Sequence, residues 1–188
     1  MAQSMVHLNG NLLCAIDTET TGLLQPTGTE MQYQPHLIEI CAIKTNDKLD
    51  VIGKFNSFIK PPIPIPEKLT KTVHGISDKM VEKAPIFIEV YRPLCELFLG
   101  CHTFVAHNAS FDLGMLFVEL RRLNSVHKFP WSPIHFCTVE QTLHFKGYRL
   151  KLAELYELAT DNKEIPGAHR AENDVLALIE CYRWLKCM

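Results

Sequence analysis

Four carboxylates and one imidazole are distributed along the chain in three short strings. Asp17 and Glu19 lie in Asp17-Thr18-Glu19-Thr20-Thr21-Gly22, and Asp112 closes His107-Asn108-Ala109-Ser110-Phe111-Asp112. His169 and Asp174 stand five apart in His169-Arg170-Ala171-Glu172-Asn173-Asp174. If residues 13–19 run extended, side chains alternate, so Ala15, Asp17 and Glu19 project to one side. Two carboxylates so placed repel unless a cation or a proton is shared between them. Acids gathered from separate elements form the donor set of a two-metal phosphodiesterase site. There, ions roughly 3.5–4 Å apart stabilise the attacking and leaving oxygens of an in-line displacement. An oxygen-only set suits hard ions, Mg²⁺ or Mn²⁺. An imidazole, which titrates near ~6.5 in water, would let His169 take a proton from the attacking water.

Each string also has an ordinary reading. A carboxylate pair after a strand can be a solvated turn, Asp112 alone a helix-start aspartate favoured by the dipole, and His169 alone a satisfied surface residue. All three strings in this order point to the site. Gly22 permits a tight turn and close backbone approach. Asn108 and Phe111 offer an amide and a stacking ring, whereas His107 receives no role.

The elements that must position these groups follow from periodicity. Residues 12–16, 37–43, 51–59, 103–106 and 134–137 read as strands, the second and third joined as a hairpin by Thr45-Asn46-Asp47-Lys48. Leu113, Leu116, Phe117, Leu120 and Leu123 mark one face of a helix capped near Ser110. Ala171, Val175, Leu178, Ile179, Tyr182 and Leu185 mark another, which places Asp174 one turn in and His169 at most ~7.5 Å of helical rise before it. Residues 86–99 and 150–158 read as two more helices. Strands first and helices later suggest an α/β or α+β sheet covered by helices. Residues 24–36 read as a polar surface loop. Pro61-Pro62-Ile63-Pro64-Ile65-Pro66 reads as an extended connector leaving the sheet rather than a docking ligand.

With 188 residues, 47% hydrophobic and 21% charged, the chain has the composition of one ordinary globular domain. No apolar run approaches a membrane span. Residues 1–11 carry no lysine or arginine, and 12–16 is too short for a leader core, so a cytoplasmic protein with no membrane partner is expected. The seven cysteines, with no CxxC pair, read as small buried hydrophobes. A net charge of −2 and pI near 6.5 exclude a large non-specific nucleic-acid surface. Between Arg121 and Lys151, however, six basic residues face the single acid Glu140. That flank could be ordinary solvated surface or could attract a short polyanion.

The chain resembles the DnaQ-like 3′–5′ exonucleases of the DEDDh type, which include proofreading subunits, RNase T and oligoribonuclease. Asp17 to Leu23 is similar to the first motif, His107 to Asp112 to the second and His169 to Asp174 to the third. Val73-His74-Gly75-Ile76 is similar to a segment recurring between the first two. The resemblance implies an RNase H-like α/β fold, a mixed five-stranded sheet flanked by helices on both sides, as a single exonuclease domain over residues 1–188. It implies that Asp17, Glu19, Asp112 and Asp174 hold two divalent ions, Mg²⁺ or Mn²⁺, with His169 as general base. It also implies that Thr20, Thr21 and Gly22 bind the terminal nucleotide's 3′ end, while Leu23, His74, Asn108 and Phe111 line its base and sugar. The 24–36 segment is longer than in many members.

The implied activity releases nucleoside 5′-monophosphates from the 3′ end of single-stranded DNA, because the first string is closer to the DNA-directed proofreading branch than to oligoribonuclease. A 3′–5′ exoribonuclease is the rival reading, and a non-catalytic nucleic-acid-binding module the remote one. With no added polymerase domain in the chain, a stand-alone exonuclease or a subunit of a polymerase or repair complex is expected. The sequence does not speak to oligomeric state.

Overall fold

The computed structural model describes residues 11–188. The expectation that no leader peptide precedes the first strand falls on residues 1–10, outside those described. Five strands form one mixed sheet: β1 (Leu13–Thr20), β2 (Leu37–Thr45), β3 (Val51–Phe58), β4 (Thr103–Ala106) and β5 (Ile134–Cys137), in the order β3-β2-β1-β4-β5. β1 runs antiparallel to β2 and parallel to β4; β2–β3 is antiparallel and β4–β5 parallel. The helices are α1 (Glu67–Thr72), α2 (Asp78–Val81), α3 (Phe87–Phe98), α4 (Ala109–Arg122), α5 (Thr138–Lys146), α6 (Leu152–Ala159) and α7 (Ala171–Cys187).

Strand alternation sorts the core into two layers. Cys14, Ile16, Ile40, Ala42 and Phe104 face α3 and α4, where they meet Leu94, Phe98, Met115 and Leu116. Leu13, Ala15, Cys41, Ile43 and Val105 face α7 and meet Ala171, Val175, Leu178 and Ile179. Helices therefore cover both sides of the sheet, as the RNase H-like fold requires. Among the described residues no helix is long and apolar enough to cross a membrane.

Three differences from the sequence reading have physical causes. β1 continues four residues beyond Ile16, because Asp17, Thr18 and Glu19 keep pairing with Cys41, Ile40 and Glu39 before a bulge at Glu19/Thr20. The N-cap of α4 is Asn108, in the left-handed region (φ 72°), and Ser110 lies inside the first turn. Helix α5 escaped notice because its buried face consists of Thr138, Val139 and Thr142, which gives little hydrophobic contrast.

The 24–36 segment is a held structure rather than a free loop. The Arg122 guanidinium donates to the carbonyls of Met31, Gln34 and Pro35 at 3.1, 2.7 and 2.9 Å and pairs with the buried Glu119 at 2.8 Å. Leu24 packs on Gly114, where an added Cβ would sit 2.5 Å from the leucine methyl. The proline run is a connector that returns Pro61 and Ile65 to the interior. Five of the cysteines are buried, but Cys95 is half-buried and Cys187 exposed, and all seven are free.

Candidate active site

A cleft of about 670 Å³ opens at the C-terminal ends of the parallel neighbours β1 and β4, the usual ligand-binding edge of such a sheet. Its floor is Asp17 and Glu19, which continue the Leu13–Ala15 register and so face α7 rather than α4. Asp174, in the first turns of α7, meets them there: ligand oxygens of Asp17, Glu19 and Asp174 all lie within 4.8 Å of one another. Asp112 stands outside this trio. It is buried on α4, close enough to Asp17 that its charge raises that carboxyl, and accepts a 2.7 Å hydrogen bond from the Thr18 hydroxyl.

Charge crowding is evident in the acids. Burial holds Asp17 well above the usual carboxylate range, and the charges of Asp112, Asp174, Glu19 and Glu39 push the same way. Burial, then Asp174, Glu39 and Asp112, raise Glu19 to about 8. Asp112 rises to about 7 through burial, opposed by the Thr18 hydrogen bond. Asp174 is also raised by burial, against the pull of His169. Such a set holds protons until a cation replaces them. The donors fit a hard divalent ion: all are oxygens, they converge, and the nearby Arg170 is already engaged.

His169 is exposed, lines the cleft and adopts φ 66°, a strained backbone for a non-glycine residue. Its amide donates to Asp174 Oδ2 at 3.1 Å, so the imidazole and the carboxylate are placed together. Asn108 lines the opposite wall. Thr20 donates its hydroxyl to the Gly22 carbonyl at 2.6 Å, and Thr21 Oγ1 accepts the His36 amide at 2.9 Å. Both threonines thus close the turn on itself, with the Thr21 amide donating to the His36 carbonyl at 2.9 Å and the Gly22 amide to Thr20 Oγ1 at 3.4 Å. Leu23 is 76% exposed beside it. Phe111 packs partly on the α3–α4 core. His74 is buried; its Nδ1 accepts the Ile76 amide at 3.0 Å, and its Nε2 has no partner among the described residues.

Two residues escaped the sequence reading. Glu39 on β2, paired across the strands with Glu19, is almost wholly buried and grips the Arg170 guanidinium at 2.8 and 3.3 Å. Arg170 also lies 4.9 Å from the Phe58 ring centre. This clasp fixes the backbone between His169 and Asp174. A lone carboxylate inside the apolar run 37–43 was the signal. The other is His107, whose Nδ1 shares a 2.8 Å hydrogen bond with Thr138. Burial lowers His107 to about 4, against the opposing effect of the Leu150 backbone, so it is neutral. Of the basic flank, Arg149 and Lys151 line the cleft, whereas Arg122 is spent on the 24–36 segment.

The family described as Exonuclease (RNase_T) matches residues 14–182. The PolC-type DNA polymerase III of Bacillus subtilis (strain 168) is 33% identical over 164 residues, 86% of this chain and 10% of that protein. DNA polymerase III subunit epsilon of Buchnera aphidicola is 30% identical over 180 residues, 93% of this chain and 73% of the relative. Exonuclease I of E. coli, solved with a dT13 oligonucleotide, shares the fold at a TM-score of 0.69 and 18% identity, over 94% of this chain and 41% of its own. The chain spans about a tenth of the length of its PolC-type relatives.

Proposed function

The chain belongs to the DnaQ-like exonuclease family of the DEDDh type, and on that footing we propose that it removes nucleoside 5′-monophosphates from the 3′ end of single-stranded DNA. The observation that carries this reading is the convergence of Asp17, Glu19 and Asp174 within 4.8 Å on a cleft floor, with His169 bonded through its backbone to the last of them.

Asp17, Glu19, Asp112 and Asp174 would hold two divalent ions, Mg²⁺ or Mn²⁺, which when bound supply electrostatic stabilisation to the attacking and leaving oxygens. The chain's own groups do the rest. His169, exposed at the cleft mouth, accepts the proton of the attacking water. The Glu39–Arg170 clasp keeps His169 and Asp174 from drifting away from β1, where small displacements are costly. The turn at residues 20–22, held rigid by its own hydrogen bonds, and the Asn108 side chain receive the terminal sugar, and the exposed Leu23 meets the terminal base.

DNA is preferred to RNA as substrate because the relatives above are DNA polymerase III proteins, and a replicative or repair polymerase is the partner this implies. The family match over residues 14–182 supports a single exonuclease domain. Matched 5′-labelled DNA and RNA oligomers, incubated with Mg²⁺ or Mn²⁺, test both levels of the proposal. Stepwise shortening of the DNA strand from its 3′ end is expected. Faster shortening of the RNA strand sinks the substrate assignment, and no release from either strand with either metal sinks the activity.

A further inference from the structure

The cleft continues beyond the acids. Arg149, Leu150 and Lys151, in the connection between α5 and α6, form its far wall. Leu150 also lines a second hollow of about 220 Å³, together with Lys146, Tyr148, Glu154 and Glu157. The two hollows share one buried lining residue, Leu150. Tyr148 is 57% exposed at this junction, a large ring left in water between cations.

The connection is held from beneath. The buried Thr142 hydroxyl donates to the Val139 carbonyl at 2.7 Å and accepts the Leu150 amide at 3.2 Å. His107, at the end of β4, bonds to Thr138 at the start of α5 at 2.8 Å, and Gly147 takes the left-handed conformation (φ 78°) that turns the chain out of α5. An exposed aromatic ring and two cations are therefore fixed at the rim of the cleft.

We propose that this connection is the track for the strand upstream of the scissile bond, with Arg149 and Lys151 facing its phosphates and Tyr148 stacking one of its bases. The proposal rests on the exonuclease reading and extends it beyond the terminal nucleotide. Charge sorts the path. The acid floor repels phosphates that lack a cation, so the strand must leave it along the Arg149–Lys151 wall. Glu154 and Glu157 outweigh Lys146 in the second hollow, which disfavours phosphates there and leaves it to a base, from whose amino groups the carboxylates can accept hydrogen bonds. Glu154 is held ready for this by the Lys151 amide, which it accepts at 2.7 Å. Because every base has a π face, the track tolerates any sequence.

Fluorescence anisotropy in EDTA, with a 5′-labelled single-stranded decamer and a labelled dinucleotide too short to reach Tyr148, tests the track without requiring turnover. Tyr148→Ala should weaken decamer binding about tenfold and leave the dinucleotide unchanged. Arg149→Gln combined with Lys151→Gln should flatten the salt dependence of decamer affinity by about 0.7 in log–log slope per lost contact. Unchanged decamer affinity in both variants overturns the track, as does an equal loss for the dinucleotide. Selective loss of decamer binding in a protein that shortens no strand with any metal would uphold the track and remove the exonuclease reading instead.

Discussion

Strand β1 and the start of α7 deliver carboxylates to the same few ångströms by different means. Asp17 and Glu19 sit at the end of the central strand, paired with β2 and half-buried on the cleft floor. Nothing beyond strand alternation is needed to aim them. His169 and Asp174 arrive at the end of a connection with a strained backbone, and they depend on side chains to stay there: Glu39 on Arg170, and Lys54 with Asn56 on Glu172. One half of the site is rigid by construction and the other by clasp. Mutations should therefore separate loss of chemistry from loss of position.

The largest effects belong to the acids themselves. Asp17→Asn and Asp174→Ala should each bring turnover to background. Their stabilities should diverge in metal-free protein, read as unfolding temperature in EDTA. Asp17→Asn removes a charge that burial and four neighbouring acids oppose, so its unfolding temperature should rise. Asp174→Ala also removes the acceptor of the His169 amide and should gain less or fall. Near-normal turnover in Asp17→Asn would remove the metal assignment. One step smaller, His169→Asn keeps a residue that tolerates φ 66° while deleting the base. It should lower kcat by about 10²–10⁴-fold with metal affinity unchanged; a loss of metal binding instead would recast His169 as a ligand.

The same contrast governs what the sequence reveals. The β1 acids are legible because period-two alternation is local: Asp17 and Glu19 continue the parity of Ala15, and the structure keeps that parity. The five strands and the longer helices were legible for the same reason. The clasp was not, because Glu39 and Arg170 are 131 positions apart and only the β1–β2 register brings Glu39 opposite Glu19. Arg122 misled for a related reason. Its charge counts toward a basic flank in one dimension, yet in three it is used up by carbonyls of the 24–36 segment. Tertiary pairing of polar groups has no short-range periodicity to announce it.

Glu39→Gln acts on the clasped half alone. The amide removes the charge that holds Arg170 while preserving shape, and supporting partners of this kind typically contribute 10–100-fold to metal affinity or activity. A loss of that size in kcat and in calorimetric Mn²⁺ affinity is expected, with faster amide exchange at residues 169–174. If exchange there is unchanged while affinity rises, Glu39 acts only as a fifth repelling charge, as its upward push on Asp17 and Glu19 would allow.

The crowded floor also predicts an unusual pH dependence. A carboxylate whose folded pKa is raised keeps its proton when the unfolded chain has lost it, so stability falls as pH rises through that interval. For Glu19 the interval runs from 4.5 to about 8, and for Asp112 from 3.8 to about 7. His107, lowered from 6.5 to about 4, works oppositely below 6.5 by destabilising the fold as pH falls. The clean window is therefore pH 6.5 to about 8. There the unfolding temperature in EDTA should decline with pH, and in saturating Mg²⁺ the decline should vanish. A flat metal-free profile would mean that the acids are not confined together.

The smallest effect should come from the outer part of the clasp. Lys54 pairs with Glu172, but both side chains are over one-third exposed or nearly so, at 44% and 35%, and water screens such pairs. Exposed pairs contribute about 0.2–1 kcal/mol, and Asn56 still donates to Glu172 Oε2 at 2.8 Å when Lys54 is gone. Lys54→Ala should therefore cost no more than about 1 kcal/mol by denaturant unfolding and leave kcat within about twofold. Breaking the buried Glu39 end should cost more, because Arg170 would be left over a desolvated partner site. If Lys54→Ala instead matched Glu39→Gln in lost turnover, the start of α7 would be held at the sheet's exposed face, and the buried pair would be incidental to where His169 and Asp174 stand.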